Sequence, residues 1–176
     1  MKNEYTLSLF TENHIGILNQ ITIILTRRQI NIESITASES AVPGVHLWTL
    51  VVITTPEMVS KVVRQMEKLV DVLKVFVHTS DEIIYQEIAM FKVATRGLMS
   101  GNIIDHIVRG HHARILEVTP EYVVIEKTGH KEDTKELFEA LRPFNVLEFV
   151  RSGRVAMMKE IDNFSDTLHE LEKSYQ

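Results

Sequence analysis

Cysteine is absent from this sequence of 176 residues, which excludes disulfide bonds, thiolate metal sites and cysteine nucleophiles. No apolar run approaches the roughly 20 residues that a membrane-spanning helix needs, and no apolar signal segment precedes the first predicted strand. The net charge of −5 argues against a nucleic-acid-binding surface, because such surfaces usually concentrate positive charge. We therefore expect a soluble, cytoplasmic protein that binds neither nucleic acid nor membrane.

The motifs of common enzyme classes are missing as well. The chain has no nucleophile elbow, P-loop, dinucleotide-binding fingerprint or HExxH zinc motif. Candidate metal ligands lie close together in the stretch with Asp105, His106, His111 and His112. Neighbouring residues on regular structure point in different directions, so these side chains are not expected to converge on an ion. We predict no catalytic residues and no metal site in this chain.

Hydrophobic patterns of strand and helix period follow one another in the same order twice. The first half places them at 5–9, 15–28, 30–36, 45–53, 56–70 and 72–77, and the second at 83–94, 103–108, 113–118, 122–125, 134–141 and 146–150. Each half reads β-α-β-β-α-β, the order of a ferredoxin-like domain. We predict an α+β fold made of two such domains in series.

Polar residues at 80–82 mark the predicted boundary between the two domains. The tail differs from both, since its apolar residues recur at spacings of three and four: Met157, Ile161, Phe164, Leu168, Leu171 and Tyr175. This spacing predicts an amphipathic helix. The expected organisation is therefore a first domain at 1–80, a second at 81–156 and a helical tail at 157–176.

The connection between the first strand and the first helix has the sequence TENHIGIL, at residues 11–18. A helix N-terminus presents unpaired N–H groups and a partial positive charge, so it suits a carboxylate. Asn13 can cap the helix, and Gly16 allows a ligand to approach the backbone closely. Our hypothesis is that this segment binds the α-carboxylate of a free amino acid and thereby controls a partner enzyme.

These motifs resemble the small regulatory subunit of acetolactate (acetohydroxyacid) synthase, a family whose first domain is an ACT domain. The resemblance rests on ENHIGIL at 12–18, RQINIESIT at 28–36, RILEVTPE at 114–121, EKTG at 126–129, LRPF at 141–144 and VLEFVRSG at 146–153. It covers roughly residues 4–157. By resemblance, the first domain is an amino-acid-sensing ACT domain and the second is ACT-like.

The resemblance implies a subunit without catalytic activity or a cofactor of its own. It would activate a large catalytic subunit that uses thiamine diphosphate, Mg and FAD, and confer feedback inhibition by a branched-chain amino acid, most often valine. Two ACT domains would pair edge to edge in a homodimer and hold the effector at their interface. The family's effector contacts correspond here to Asn13, His14, Ile15, Gly16, Ile17, Asn31 and Ile32.

Gln29 departs from the family pattern, because it stands where glycine usually follows the basic pair. If this residue adopts the left-handed conformation, its side chain costs on the order of 1 kcal/mol.

A second interpretation keeps the same effector site but assigns a different regulated protein. The chain would then be a free-standing ACT-domain sensor that regulates another enzyme or a transcription factor.

Overall fold

The structure is a computed structural model of the chain, and it describes residues 1–95, 103–160 and 173. The chain divides into two compact units. The first combines Met1–Tyr85 with the chain from Arg154 onward, and the second is Gln86–Gly153. Both units have the predicted β-α-β-β-α-β order, which confirms the α+β fold of two ferredoxin-like domains.

The first unit is a four-stranded antiparallel sheet with two helices. Its elements are β1 (Asn3–Glu12), α1 (Ile17–Thr26), β2 (Ile32–Glu39), β3 (Val45–Thr54), α2 (Pro56–Met66) and β4 (Val72–His78). The strand order is β2-β3-β1-β4, so β2 and β4 are the edges. Leu7 and Leu9 of β1 and Leu50 of β3 are fully buried in the core beneath the helices. The second strand therefore has β3 as its only neighbour within this sheet.

The two helices of this unit begin in different ways. Thr55 caps α2, since its hydroxyl accepts a hydrogen bond from the Met58 N–H at 3.3 Å, and Pro56 occupies the first helical position as predicted. Helix α1 begins at Ile17 rather than Ile15, because Gly16 at its N-cap has φ +94° and cannot be helical. The predicted span of 15–28 was therefore too long at both ends.

The turn after α1 contains Gln29, a position at which the resemblance implies glycine. Gln29 has φ +53°, so it does adopt the left-handed conformation. Its N–H donates to the Thr26 carbonyl at 2.9 Å, which helps to close the helix. The Arg28 guanidinium donates to the Ile24 carbonyl at 3.0 Å, where a cation also favours the helix dipole.

The second unit has its own sheet, in the order β6-β7-β5-β8. Its elements are β5 (Ile83–Ala94), α3 (Ile103–Gly110), β6 (Arg114–Val118), β7 (Tyr122–Gly129), α4 (Lys131–Leu141) and β8 (Val146–Arg151). Phe91, Phe138 and Phe149 form an aromatic cluster, with ring centroids 5.1 to 6.5 Å apart. The core of this unit is therefore separate from that of the first.

A short ninth strand, β9 (Val155–Met158), pairs with β5 and was not predicted. Residues 157 and 158 therefore belong to this strand instead of the predicted tail helix, and residues 161–172 and 174–176 of that tail lie outside the described residues. The two units meet in sequence at Tyr85/Gln86 and Gly153/Arg154. The predicted boundaries were 80/81 and 156/157. Strand β5 runs across the first junction, and the chain rejoins the first unit at Arg154, just before β9.

Arg154 attaches this returning segment to the first sheet, and it is only 4% exposed. Its guanidinium donates to Thr6 Oγ1 at 2.8 Å and to Glu4 Oε1 at 2.9 Å, and it lies 3.8 Å from the ring centroid of Tyr85. Its backbone is bonded to the hydroxyls of Ser34 and Thr36 on β2. Arg154 thus connects the start of β9 to β1 through its guanidinium and to β2 through its backbone.

Candidate functional site

The loop between β1 and α1 is held in place by two other loops of the first unit. The Glu12 N–H donates to the Asp71 carbonyl at 2.9 Å, and the Asn13 N–H donates to the Gly44 carbonyl at 3.1 Å. The His14 Nδ1 lies 3.4 Å from the Asp71 carboxylate. Backbone bonds to two separate anchors give this exposed loop a defined shape.

The N-terminus of α1 has no side-chain cap. The prediction that Asn13 caps this helix is wrong, because the left-handed Gly16 occupies the N-cap position. Within the described part of the chain, the N–H groups of Gly16, Leu18 and Asn19 have no backbone acceptor, and no side chain accepts from them. Such a group of unpaired donors can bind an anion.

The space beside the Gly16 Cα atom is open. A Cβ atom built on Gly16 would meet no other atom within 4 Å. Ile15 is completely exposed beside it, whereas Ile17 is 3% exposed and points into the core. Of these two site residues, only Ile15 can offer an apolar side chain to a ligand, and the Ile17 N–H is already bonded to the His14 carbonyl at 3.4 Å.

Asn31 and Ile32 lie at the other end of the same sheet. Ile32 pairs with Val52, and Val52 pairs with Tyr5 near the start of β1. The loop that follows Glu12 is seven residues further along β1, which is about 23 Å at the usual rise of a strand. The structure therefore brings residues 13–17 together but does not bring Asn31 and Ile32 to them within one chain.

Asn31 is exposed, and its amide donates to the Glu33 carboxylate at 3.0 Å. Ile32 is partly buried and packs against the core of the first unit. Asn31 is thus available at the surface, at the beginning of an edge strand.

Sequence reasoning missed the residues that fix the loop. Asp71 and Gly44 are distant in sequence from residues 12–14, and no local pattern signals their contact with them. Trp48 was also missed, although its Nε1–H donates to Thr11 Oγ1 at 2.9 Å, at the end of β1. The register pairs Trp48 with Leu9 and Thr11 with His46, so this diagonal contact has no signal in the local sequence.

None of the helices in the described part of the chain has the length and apolarity required to cross a bilayer. No three His, Asp or Glu side chains among these residues are placed to hold a metal ion, and Asp105 instead pairs with Arg109 at 3.3 Å.

Comparison with known proteins assigns both units to one family. Residues 7–74 match the profile of the AHAS small subunit-like ACT domain, and residues 86–160 match that of the small subunit of acetolactate synthase. The chain belongs to the acetolactate synthase small subunit family. The predicted ACT domain is thereby confirmed, together with the resemblance on which it was based.

Other members of the acetolactate synthase small subunit family match over nearly their whole length. The chain is 33% identical to the small subunit of Bacillus subtilis over 160 residues, which are 90% of this chain and 91% of that one. It is 28% identical to the small subunit of Aquifex aeolicus over 158 residues, or 90% and 82% of the two chains. The crystal structure of the Thermotoga maritima small subunit has a TM-score of 0.82 at 27% identity, covering 90% of this chain and 99% of that one. The two-domain fold is therefore that of the family.

Proposed function

We propose that this chain is a non-catalytic, cytoplasmic regulatory subunit of acetolactate synthase. It binds the large catalytic subunit, which carries thiamine diphosphate, Mg and FAD, and raises its activity. It also confers feedback inhibition by a branched-chain amino acid, and valine is the expected effector. Family membership across both units supports this proposal.

The effector site lies between two copies of the chain. Residues 13–17 and Asn31 with Ile32 are at opposite ends of one sheet, about 23 Å apart along β1, so they cannot line one small site within a single copy. This separation is the observation that carries the proposal of an intersubunit site.

Antiparallel pairing of two β2 edges brings these residues together. Strand β2 is an edge with unpaired backbone groups on one side, and such an edge can pair with a second copy. Glu39, at the end of β2, pairs with His46, which in turn pairs with Thr11 beside the loop. A twofold axis through β2 therefore places the start of the partner's second strand next to this loop.

Each part of the proposed site has a chemical role. The unpaired N–H groups that begin α1 bind the effector carboxylate. The amide of Asn13 bonds the ammonium or carboxylate group, and Asn31 from the other copy completes the polar contacts. Ile15 and the second copy's Ile32 enclose the aliphatic side chain. His14, held by Asp71, fixes the shape of the loop.

Reconstitution with the catalytic subunit tests the proposed function. Acetolactate formation by the purified catalytic subunit is measured with and without this protein, and across a range of valine, isoleucine and leucine. We expect the protein to increase activity and one of the three amino acids to suppress that increase. A protein that does not associate with the catalytic subunit and leaves its activity unchanged would refute the proposal and favour the free-standing sensor.

A further inference from the structure

The open face of the second unit's sheet contains a cavity of about 200 Å³. We name it the open-face cavity; it is lined by Met90, Lys92, Glu117, Tyr122, Val124, Glu148 and Val150. The strand register places these side chains on one face, since Lys92 pairs with both Val124 and Glu148, and Met90 pairs with Val150. Its volume is below the roughly 300 Å³ at which sites for drug-sized ligands begin, so it suits a small metabolite.

The lining combines an apolar wall with charges of both signs. Met90 on β5 and Val150 on the edge strand β8 are 41% and 45% exposed, so this wall presents apolar surface to solvent. Val124 lies between Lys92 and Glu117 in the register and continues the apolar wall. An exposed apolar surface with a few polar groups around it is typical of a ligand site.

The charges of this cavity do not neutralise each other. Lys92 and Glu148 are directly opposite on neighbouring strands, yet the described residues form no ion pair with either of them. The Lys92 ammonium instead lies 4.4 Å from the ring centroid of Tyr122. The Tyr122 hydroxyl donates to Glu117 at 3.2 Å and holds that carboxylate at the edge of the cavity.

We propose that the open-face cavity binds a free amino acid with an aliphatic side chain, at a site separate from the β1–α1 loop. The ligand's carboxylate contacts Lys92, its ammonium contacts Glu148, and its side chain packs on Met90, Val124 and Val150. The α-carboxylate and α-ammonium are joined through one carbon atom, and Lys92 and Glu148 are directly opposed residues with Cβ atoms about 5 Å apart, so both side chains can reach one ligand. This proposal goes beyond the function proposed above and does not depend on it.

The methyl group of Met90 reports on the site in the full-length protein. The chain is labelled with ¹³C at its methionine methyl groups, the Met90 signal is assigned with Met90→Leu, and L-leucine is titrated. We expect a saturable shift of the Met90 signal. The same shift should persist in Gly16→Asp, because the loop of the first unit is not involved.

Two leucine analogues and two variants identify the contacts. 4-Methylpentanoate lacks the ammonium and L-leucinol lacks the carboxylate, so each should bind at least about tenfold more weakly than leucine, as the loss of one charge-assisted hydrogen bond predicts. Lys92→Met should weaken leucine binding by a similar factor but leave leucinol binding unchanged. Glu148→Gln should weaken leucine binding and leave 4-methylpentanoate binding unchanged. Lys135→Met, on the exposed side of α4, is the matched control and should behave as the unmodified protein.

Several results would overturn the proposal. A Met90 signal that does not move at saturating leucine, or that moves only while Gly16 is intact, excludes a separate site. If both analogues bind as tightly as leucine, the charged groups do not contribute and the cavity binds apolar side chains without recognising an amino acid. Equal behaviour of Lys92→Met and Lys135→Met would remove the role of Lys92. Glu148→Gln preserves size and exposure, so it decides the matter with the analogues even if Lys92→Met does not fold.

Discussion

Replacing Gly16 by aspartate tests whether the start of α1 receives the effector carboxylate. The change adds a carboxylate at the N-cap of α1, next in sequence to the unpaired N–H groups, where the structure leaves room for a side chain. At a separation of about 5 Å and an effective dielectric constant of about 20, two like charges repel by about 3 kcal/mol. Since about 1.4 kcal/mol is a tenfold change in affinity, the effector should bind roughly 100-fold more weakly.

Asparagine at the same position is the matched control. Both variants place a side chain on a residue with φ +94°, so they share a backbone strain on the order of 1 kcal/mol. They differ only in the charge. The valine concentration for half-inhibition of the reconstituted enzyme should therefore rise roughly 100-fold further in Gly16→Asp than in Gly16→Asn.

Activation of the catalytic subunit should survive in both variants, which shows that the protein is folded and associated. If Gly16→Asp and Gly16→Asn had the same valine response, charge at this position would be irrelevant. The assignment of the carboxylate to the start of α1 would then be wrong.

Three further changes test the contacts that hold the fold. Gln29→Gly should raise the free energy of unfolding by about 1 kcal/mol, because glycine adopts φ +53° without strain. Urea titration measures this free energy. The control Gln29→Ala keeps the strain and should show no gain. Arg154→Met should lower that free energy by about 2 kcal/mol, because it removes charge-assisted bonds to Glu4 and Thr6, whereas the exposed Arg142→Met should change it little. The hydrogen bond from Thr128, and after it the contact with Arg114, hold the pKa of Glu126 below its ordinary value. The carboxylate therefore stabilises the folded state at pH values above the unfolded-state pKa. This stabilisation is lost as the pH falls through the folded-state pKa. Glu126→Gln should therefore be less stable than the unmodified protein at pH 7, and urea titrations at successively lower pH should show the difference disappear; a constant difference would contradict the assignment.

The order of strands and helices could be predicted because each element carries a clear hydrophobic period. The bounds of β5 agree with the predicted 83–94, and Pro56 begins α2 as expected. Errors occur where one backbone conformation decides the outcome. The positive φ of Gly16 shortens α1, although the helical pattern continues through the preceding isoleucine.

Strand β9 shows a second limit of sequence patterns. It has four residues, too few for a strand period, and Met157 also fits the spacing of the apolar residues that follow it. Only its pairing with β5 and the anchoring of Arg154 identify it as a strand. Both are contacts between residues that are distant in sequence.

The sequence alone placed residues 13–16, the β1–α1 loop, between a strand and a helix, as the structure has them, whereas their role as an effector site stays a prediction. The anchors of that loop, Asp71 and Gly44, could not be found, because nothing local connects them to Asn13. The distance between this loop and Asn31 also required the strand register. The motif named the residues but did not show that they lie at opposite ends of the sheet.

Because the β1–α1 loop and Asn31 lie at opposite ends of the sheet, two variants that each lack one of them can complement each other. In the proposed twofold dimer, a Gly16→Asp chain that associates with an Asn31→Ala chain would give one site with both defects. The other combines the intact loop of one chain with the intact strand of its neighbour. A mixture of two unresponsive variants should thus regain part of the valine response that neither has alone, whereas sites built within single chains would stay unresponsive in every combination.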